Sequence, residues 1–247
     1  MLLWSETHGE AHYELRRAGN SLRLYRNGIF HSQYNGARPL NGGVWDMLWI
    51  PLCARPPATI RKVLMLGVGA GAALKKIADY FPQAMITGVD LDAIHLQIAR
   101  QQLQLDSSVS LHCDDAVSWL GRAGTQRFDV IIDDLFFDAE DGPRRAVALD
   151  TSWRHLLRRH LAKQGMLVAN CVQASEARAL YSGGEASFQH ALSLRDSGYD
   201  NRIVVASDAA LQTAEIQRGF TELMRSYWKI RAAQLPPSLS IRRLRSG

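Results

Sequence analysis

The sequence predicts an α/β fold, a seven-stranded, mostly parallel sheet with a C-terminal antiparallel strand pair, plus a small N-terminal β-hairpin unit. Three observations predict it. Between Val63 and Asp92 an apolar run, a glycine-rich turn, a helical stretch and a second apolar run follow in order and end on acids, as in a ligand-binding βαβ unit. Two more apolar runs, Val109 to His112 and Phe128 to Ile132, also end in paired acids. Phe188 to Leu194 and Arg202 to Ser207 are separated by a turn-rich stretch too short for a helical crossover, so they must pair antiparallel.

Taken in order, Tyr13, Leu15, Leu22, Leu24 and Ile29 alternate with polar neighbours over residues 10–34, and Asn27-Gly28 is a strong two-residue hairpin turn. Residues 36–43 read as a loop. Val44 to Cys53 reads as a short helix with Trp45, Leu48 and Trp49 inward, and Pro56-Pro57 separates a first unit, 1–57, from a second, 58–247. Val63 to Leu66 is a buried strand, and Gly67, Gly69 and Gly71 allow a tight turn with bare backbone beside a ligand. A helix over Ala72 to Tyr80 stops before Pro82, and the strand Met85 to Val89 runs into Asp90. Asp92 can cap the next helix, on which Ile94, Ile98 and Leu105 share a face. The third strand leads to Asp114-Asp115-Ala116 and a short helix, and the fourth to Asp133-Asp134. A long loop carrying Asp138, Glu140 and Asp141 follows, then a helix from Leu149 to Leu161 and a fifth strand from Met166 to Cys171. Ala209 to Trp228 is the final helix, and residues 235–247 read as a Pro- and Arg-containing tail.

With 247 residues, 47% of them hydrophobic, the chain can bury a large core. No apolar run reaches membrane-spanning length, and the first residues lack a secretion signal's charged start. Cys53, Cys113 and Cys171 sit far apart in apolar sequence, which predicts reduced, buried thiols and a cytoplasmic setting. The net charge of +5 permits a polyanionic partner. Arg154 and Arg158, however, read better as one solvated helix face than as a nucleic-acid patch, because no stacking aromatics are interleaved with the basic residues. His8 and His12 lack a third ligand, so no metal site is expected.

The ligand of an open parallel sheet sits beyond the carboxyl ends of its strands. Here those ends carry acids, which would bind phosphate poorly but suit hydroxyls, an exocyclic amine and a positive centre. S-adenosylmethionine has all three, and Asp90 can accept both ribose hydroxyls. Gly67-x-Gly69-x-x-Ala72 followed by Asp90 also satisfies a loose dinucleotide pattern. The acidic rim and the terminal antiparallel pair weigh against a nicotinamide.

The segments VLMLGVGAGA, TGVDLD, HCDDAV, FDVIIDD and DNRIVVAS resemble the class I adenosylmethionine-dependent methyltransferase fold, a Rossmann-like sheet, in its spermidine synthase-like, polyamine aminopropyltransferase-related branch. The resemblance implies that Gly67, Val68, Gly69 and Gly71 line the methionine part and that Asp90, with Leu91 beside it, holds the ribose. It implies Asp115 and the Ala116 amide at the adenine and Asp134 as the catalytic carboxylate, with Asp133 among the cofactor-binding residues. His31, Trp45, Asp46 and Phe137 occupy positions of the substrate region, and a homodimer through the N-terminal unit is allowed.

Departures from the family pattern bear on the reaction. Ala70 stands where aminopropyltransferases carry an Asp that pairs with the amine of decarboxylated adenosylmethionine. Val44-Trp45-Asp46 replaces Tyr-His-Glu, His31 replaces Gln, and Asp134-Leu135-Phe136-Phe137-Asp138 replaces Asp-Ser-Ser-Asp-Pro. The expectation is an adenosylmethionine-dependent methyltransferase acting on a small-molecule amine, hydroxyl or carboxyl acceptor. The alternatives are an aminopropyltransferase using decarboxylated adenosylmethionine and, from another class, a catalytically idle cofactor-binding protein.

Overall fold

The N-terminal alternation folds into β1 (Leu2–His8), β2 (Ala11–Ala18), β3 (Ser21–Arg26) and β4 (Ile29–Asn35), a four-stranded antiparallel sheet in chain order. This is larger than the expected hairpin unit, because β1 pairs along β2 from His8↔Ala11 to Leu2↔Arg16. Asn27 and Gly28 both take left-handed φ, 50° and 77°, which matches the right-handed twist of the flanking strands. The structure is a computed structural model that describes residues 1–139 and 142–245. Glu140 and Asp141 of the expected loop, and the last two residues of the expected tail, lie outside the described residues, as does the side chain of Asp138.

After α1 (Val44–Trp49) and a 3-10 turn at Ile50–Ala54, the chain alternates strand and helix: β5 (Lys62–Leu66), α2 (Ala72–Tyr80), β6 (Met85–Asp90), α3 (Ala93–Gln102), β7 (Val109–Cys113), α4 (Ala116–Arg122) and β8 (Phe128–Asp133). A hairpin of β9 (Phe136–Ala139) and β10 (Gly142–Arg145) precedes α5 (Thr151–Arg159), β11 (Leu161–Cys171) and α6 (Ala174–Ala179). The chain closes with β12 (His190–Asp196), β13 (Arg202–Ser207), α7 (Thr213–Trp228) and β14 (Leu239–Leu244).

The main sheet has eight strands in the order β14-β12-β13-β11-β8-β5-β6-β7. Its five strands from β11 to β7 are parallel, and β13, β12 and β14 add antiparallel. The count exceeds the expected seven because the tail supplies an edge strand: Leu239 and Ile241 pack on the core while Arg242 and Arg243 stay exposed. The expected long loop after Asp134 is likewise an antiparallel hairpin, with Phe136 opposite Arg145 and Phe137 opposite Arg144.

The central strands are buried on both faces. Val63, Met65, Val130, Ile132 and Val168 join the cluster under α1, α2 and α7, while Leu64, Leu66, Ile131, Leu167 and Ala169 join the one under α4 and α5. Each such side chain contributes about 1.5–3 kcal/mol when fully buried, which holds the strand ends in fixed register. A third cluster joins the two sheets: Ala11, Tyr13, Leu15 and Leu24 pack against Ala70, Ile94 and Ile98. The Lys76 ammonium on α2 donates to the carbonyls of Asn35 and Arg38, tying the loop after β4 to the main sheet.

Two expectations about exposure are corrected. Cys53 and Cys171 are buried, but Cys113 is exposed, because β7 is the uncovered edge of the sheet. Arg154 is buried, not on a solvated face: its guanidinium donates to the Ala179 carbonyl and the Thr151 hydroxyl, while Arg158 pairs with Asp208 at 2.5 Å. Among the described residues no helix is long and apolar enough to cross a membrane.

Candidate functional site

The strand order reverses between β5 and β8, since β6 and β7 continue to one side of β5 and β8 lies on the other. A crevice opens there at the carboxyl ends of the strands. The Asp134 amide donates to the Leu66 carbonyl (2.8 Å) and the Gly67 amide to that of Val89 (2.9 Å), so the two chain ends leave the sheet back to back. Gly67 has φ 82°, and a Cβ there would collide with the Asp134 carbonyl oxygen. Only glycine fits this position.

Asp90 organises the loop. Its Oδ2 accepts from the amides of Val68 (2.7 Å) and Gly69 (2.9 Å), and its Oδ1 accepts from the Asp92 amide (2.8 Å). Burial alone would raise its pKa, but hydrogen bonding and charge from His95, together with the Asp92 and Gly69 amides, outweigh it and hold the carboxyl below its ordinary value. A carboxylate oxygen has two lone pairs, so Oδ1 keeps one for a ligand hydroxyl.

His95, three residues into α3, lies between two acids: Nδ1 is 3.9 Å from Asp90 and Nε2 is 3.7 Å from Asp92. Its buried Nε2 has no hydrogen-bond partner. Asp92 caps α3 through the amides of Ile94 and His95 and accepts from the Tyr13 hydroxyl of β2 at 2.6 Å. The N-terminal sheet thereby forms one wall of the crevice.

The resulting cleft holds about 950 Å³. Gly67, Gly69, Asp90, Leu91, Asp115, Ala116 and Asp134 all line it, as do His31, Trp45 and Phe137 from the expected substrate region. Asp115 also caps α4, accepting from the Ser118 amide at 2.8 Å. Leu91 is 70% exposed, an apolar side chain standing in the opening.

Four expected site residues do not present their side chains to the cleft. Val68 is buried in the main core and offers its amide to Asp90 instead. Gly71 begins α2, where a Cβ would lie 2.8 Å from Ala99 of α3, so it allows two helices to approach. Asp133, fully buried, has both oxygens on Arg145 (2.8 and 2.7 Å) and one on the Trp153 indole (2.9 Å); strand alternation turns it away from the side that Asp134 faces. Asp46 stands in the first turn of α1 and accepts from the amides of Asn41 (3.0 Å) and Gly42 (2.6 Å) and from the Trp49 indole (3.0 Å). It borders a neighbouring cavity of about 500 Å³ and holds a loop in place.

Asp134 sits at the cleft floor, partly buried. Its Oδ1 accepts from the Asn170 amide group (2.7 Å), whose own oxygen accepts from Asn201 (3.0 Å). Burial pushes its pKa up to about 6; the Asn170 bond opposes this, and the negative charge of Asp133 adds to it. The group therefore changes charge near neutrality, as a proton acceptor requires. Arg145 reaches from β10 to Asp133, to the Asn170 carbonyl (2.6 Å) and to the Val147 carbonyl (3.1 Å), clamping the hairpin to the strand ends.

His95, Asn170, Asn201 and Arg145 were not singled out from sequence. His95 follows a capping Asp at helical spacing, and Asn170 is a polar residue inside an apolar strand; both are weak signals that could have been read. Arg145 and Trp153 give no local signal, because their role exists only once Asp133 is buried.

Comparison with known proteins bears on the fold that carries this site. A family model described as a methyltransferase domain matches residues 63–165. A probable polyamine aminopropyl transferase of Bifidobacterium longum is 27% identical over 130 residues, 53% of this chain and 27% of that protein. The chain matches less than half the length of the first such curated relatives. A solved probable spermidine synthase from Corynebacterium glutamicum superposes with a TM-score of 0.73 at 21% identity, covering 97% of this chain and 90% of that one. Human methyltransferase-like protein 13, solved with SAH, gives a TM-score of 0.60 at 19% identity over 77% and 94% of the two chains. The chain carries the class I adenosylmethionine-dependent methyltransferase fold in its spermidine synthase-like form.

Proposed function

We propose, from that premise, that the chain is an adenosylmethionine-dependent methyltransferase acting on a small acceptor. The residues present fit the cofactor. Bare backbone at Gly67 and Gly69 leaves room for the methionine part, the ionised Asp90 suits a ribose, and Asp115 with the Ala116 amide suits the adenine. The unsatisfied Nε2 of His95, buried beside Asp92, is a further polar group near the ribose end.

The observation that carries methyl over aminopropyl transfer is Ala70. It is 5% exposed and sealed against Ala11, Tyr13 and Ile94, so the glycine loop offers no anion to a terminal amine and no repulsion to a carboxylate. When bound, adenosylmethionine supplies a methyl group on a positive sulfur. Asp134 orients the acceptor and takes the proton that its nitrogen or oxygen sheds, while Asn170 and Asn201 fix the carboxylate's orientation.

Aminopropyl transfer is the second reading. It is favoured by the names of the curated relatives and keeps Asp134 in the same role. Incubation with methyl-labelled adenosylmethionine and a small-molecule cell extract tests the choice. The methyltransferase reading expects label in a small product. Appearance of methylthioadenosine from decarboxylated adenosylmethionine, with no methyl transfer, overturns it, and an idle protein gives neither.

A further inference from the structure

Beyond the donor residues the cleft is lined by residues of two hairpins and by Asp134. The β3–β4 turn brings Ile29, 45% exposed, and Phe30, 39% exposed, with Trp45 of α1 edge-on to Phe30 at 5.1 Å. Opposite, β9 and β10 bring Phe136, Phe137 (51% exposed) and Pro143. Large apolar side chains left in water are unremarkable singly, but a cluster around one opening marks a binding surface.

Outside Asp90, most of the cleft's other described carboxylates have partners of their own. Asp92 accepts from Tyr13, Asp114 pairs with Arg122, Asp115 caps α4, and Glu10 stands in the exposed β1–β2 turn. Among the described side chains, the interior of the hairpin half therefore holds one acid, Asp134, and its second oxygen has no partner there. A linear diamine carries a charge at each end and is best held by an anion at both; among the described side chains this half offers Asp134 alone, beside exposed aromatic rings. A planar apolar body with a single N–H or O–H matches the exposed rings and the one carboxylate described there.

We propose that the acceptor is an aromatic amine or phenol, its ring held between Phe30 and Phe137 and its nucleophilic nitrogen or oxygen placed on Asp134. The inference rests on the methyltransferase reading. The acceptor's lone pair forms the new bond to the methyl carbon, the carbon–sulfur bond breaks with its electron pair left on sulfur, and the acceptor's proton passes to Asp134 and on to water.

The test has two stages on the full chain. Calorimetry first measures adenosylhomocysteine binding, and its absence overturns the methyltransferase reading and this inference with it. With adenosylhomocysteine bound, saturation-transfer NMR then follows 4-methylphenol, 4-methylaniline, 2-naphthol and putrescine. The expected result is binding of at least one aromatic probe, weakened about tenfold in Phe137→Ala and in Phe30→Ala, with no putrescine signal. Both side chains are exposed, so neither variant should lose its fold, and adenosylhomocysteine binding verifies this. Putrescine binding as tight as any aromatic probe, aromatic binding unchanged in both variants, or no aromatic binding at all overturns the acceptor class while leaving the donor reading standing.

Discussion

On the side of the cleft built by the ends of β5 and β6, ligand-facing groups are positioned by backbone: Asp90 grips the amides of Val68, Gly69 and Asp92, all within three residues of the strand ends. On the side built by β8 to β10, long side chains do the work. Arg145 spans from the hairpin to Asp133 and Asn170, Trp153 comes up from α5, and Asn201 arrives from the turn between β12 and β13. The first half is fixed by one contiguous βαβ unit, the second by residues distant in sequence. A donor site of the first kind can persist while an acceptor site of the second kind diverges, since each acceptor residue depends on few local constraints.

The largest expected effect breaks the second half. Arg145→Met leaves the buried Asp133 carboxylate without its cation, and stability should fall by about 3–5 kcal/mol in urea unfolding. On the donor side, Asp90→Ala removes the acceptor of three amides and should weaken adenosylhomocysteine binding about a hundredfold by calorimetry. A smaller change sharpens the contrast. Asn170→Ala should lower turnover about tenfold with donor affinity nearly unchanged, because it loosens Asp134 alone.

The pH dependence follows with its sign. Asp134 is raised to about 6, so its carboxylate form exists above that pH, and turnover should fall as pH drops through about 6. The Asn170 bond favours the ionised form, so the acid limb should move upward in Asn170→Ala and vanish in Asp134→Asn. Least affected is Arg122→Met. It breaks the exposed pair with Asp114 at the donor rim and should shift the unfolding midpoint little.

The same contrast governs what was legible in the sequence. Strand, turn, helix, strand and acid from Val63 to Asp90 are local, so apolar runs and glycines announced them, and Gly67, Gly69, Asp90 and Asp115 all stand in the cleft. The parallel sheet and its antiparallel close were legible for the same reason. Asp133 and Asp134 were not separable, because two adjacent acids look alike until the strand's alternation buries one against Arg145 and presents the other to the cleft. Asp46 misled because a buried helix-turn acid and a substrate-binding acid have the same sequence appearance. The last strand stayed hidden because Leu239 and Ile241 are a short alternation beside arginines, and β12 completes it from afar.

Competitive calorimetry of adenosylmethionine against its decarboxylated form tests the central claim most directly. With Ala70 sealed under the N-terminal sheet, the ordinary cofactor should bind at least as tightly, and Asp90→Ala should weaken both. A clear preference for the decarboxylated form would contradict the account and place an amine-binding anion where the glycine loop offers none.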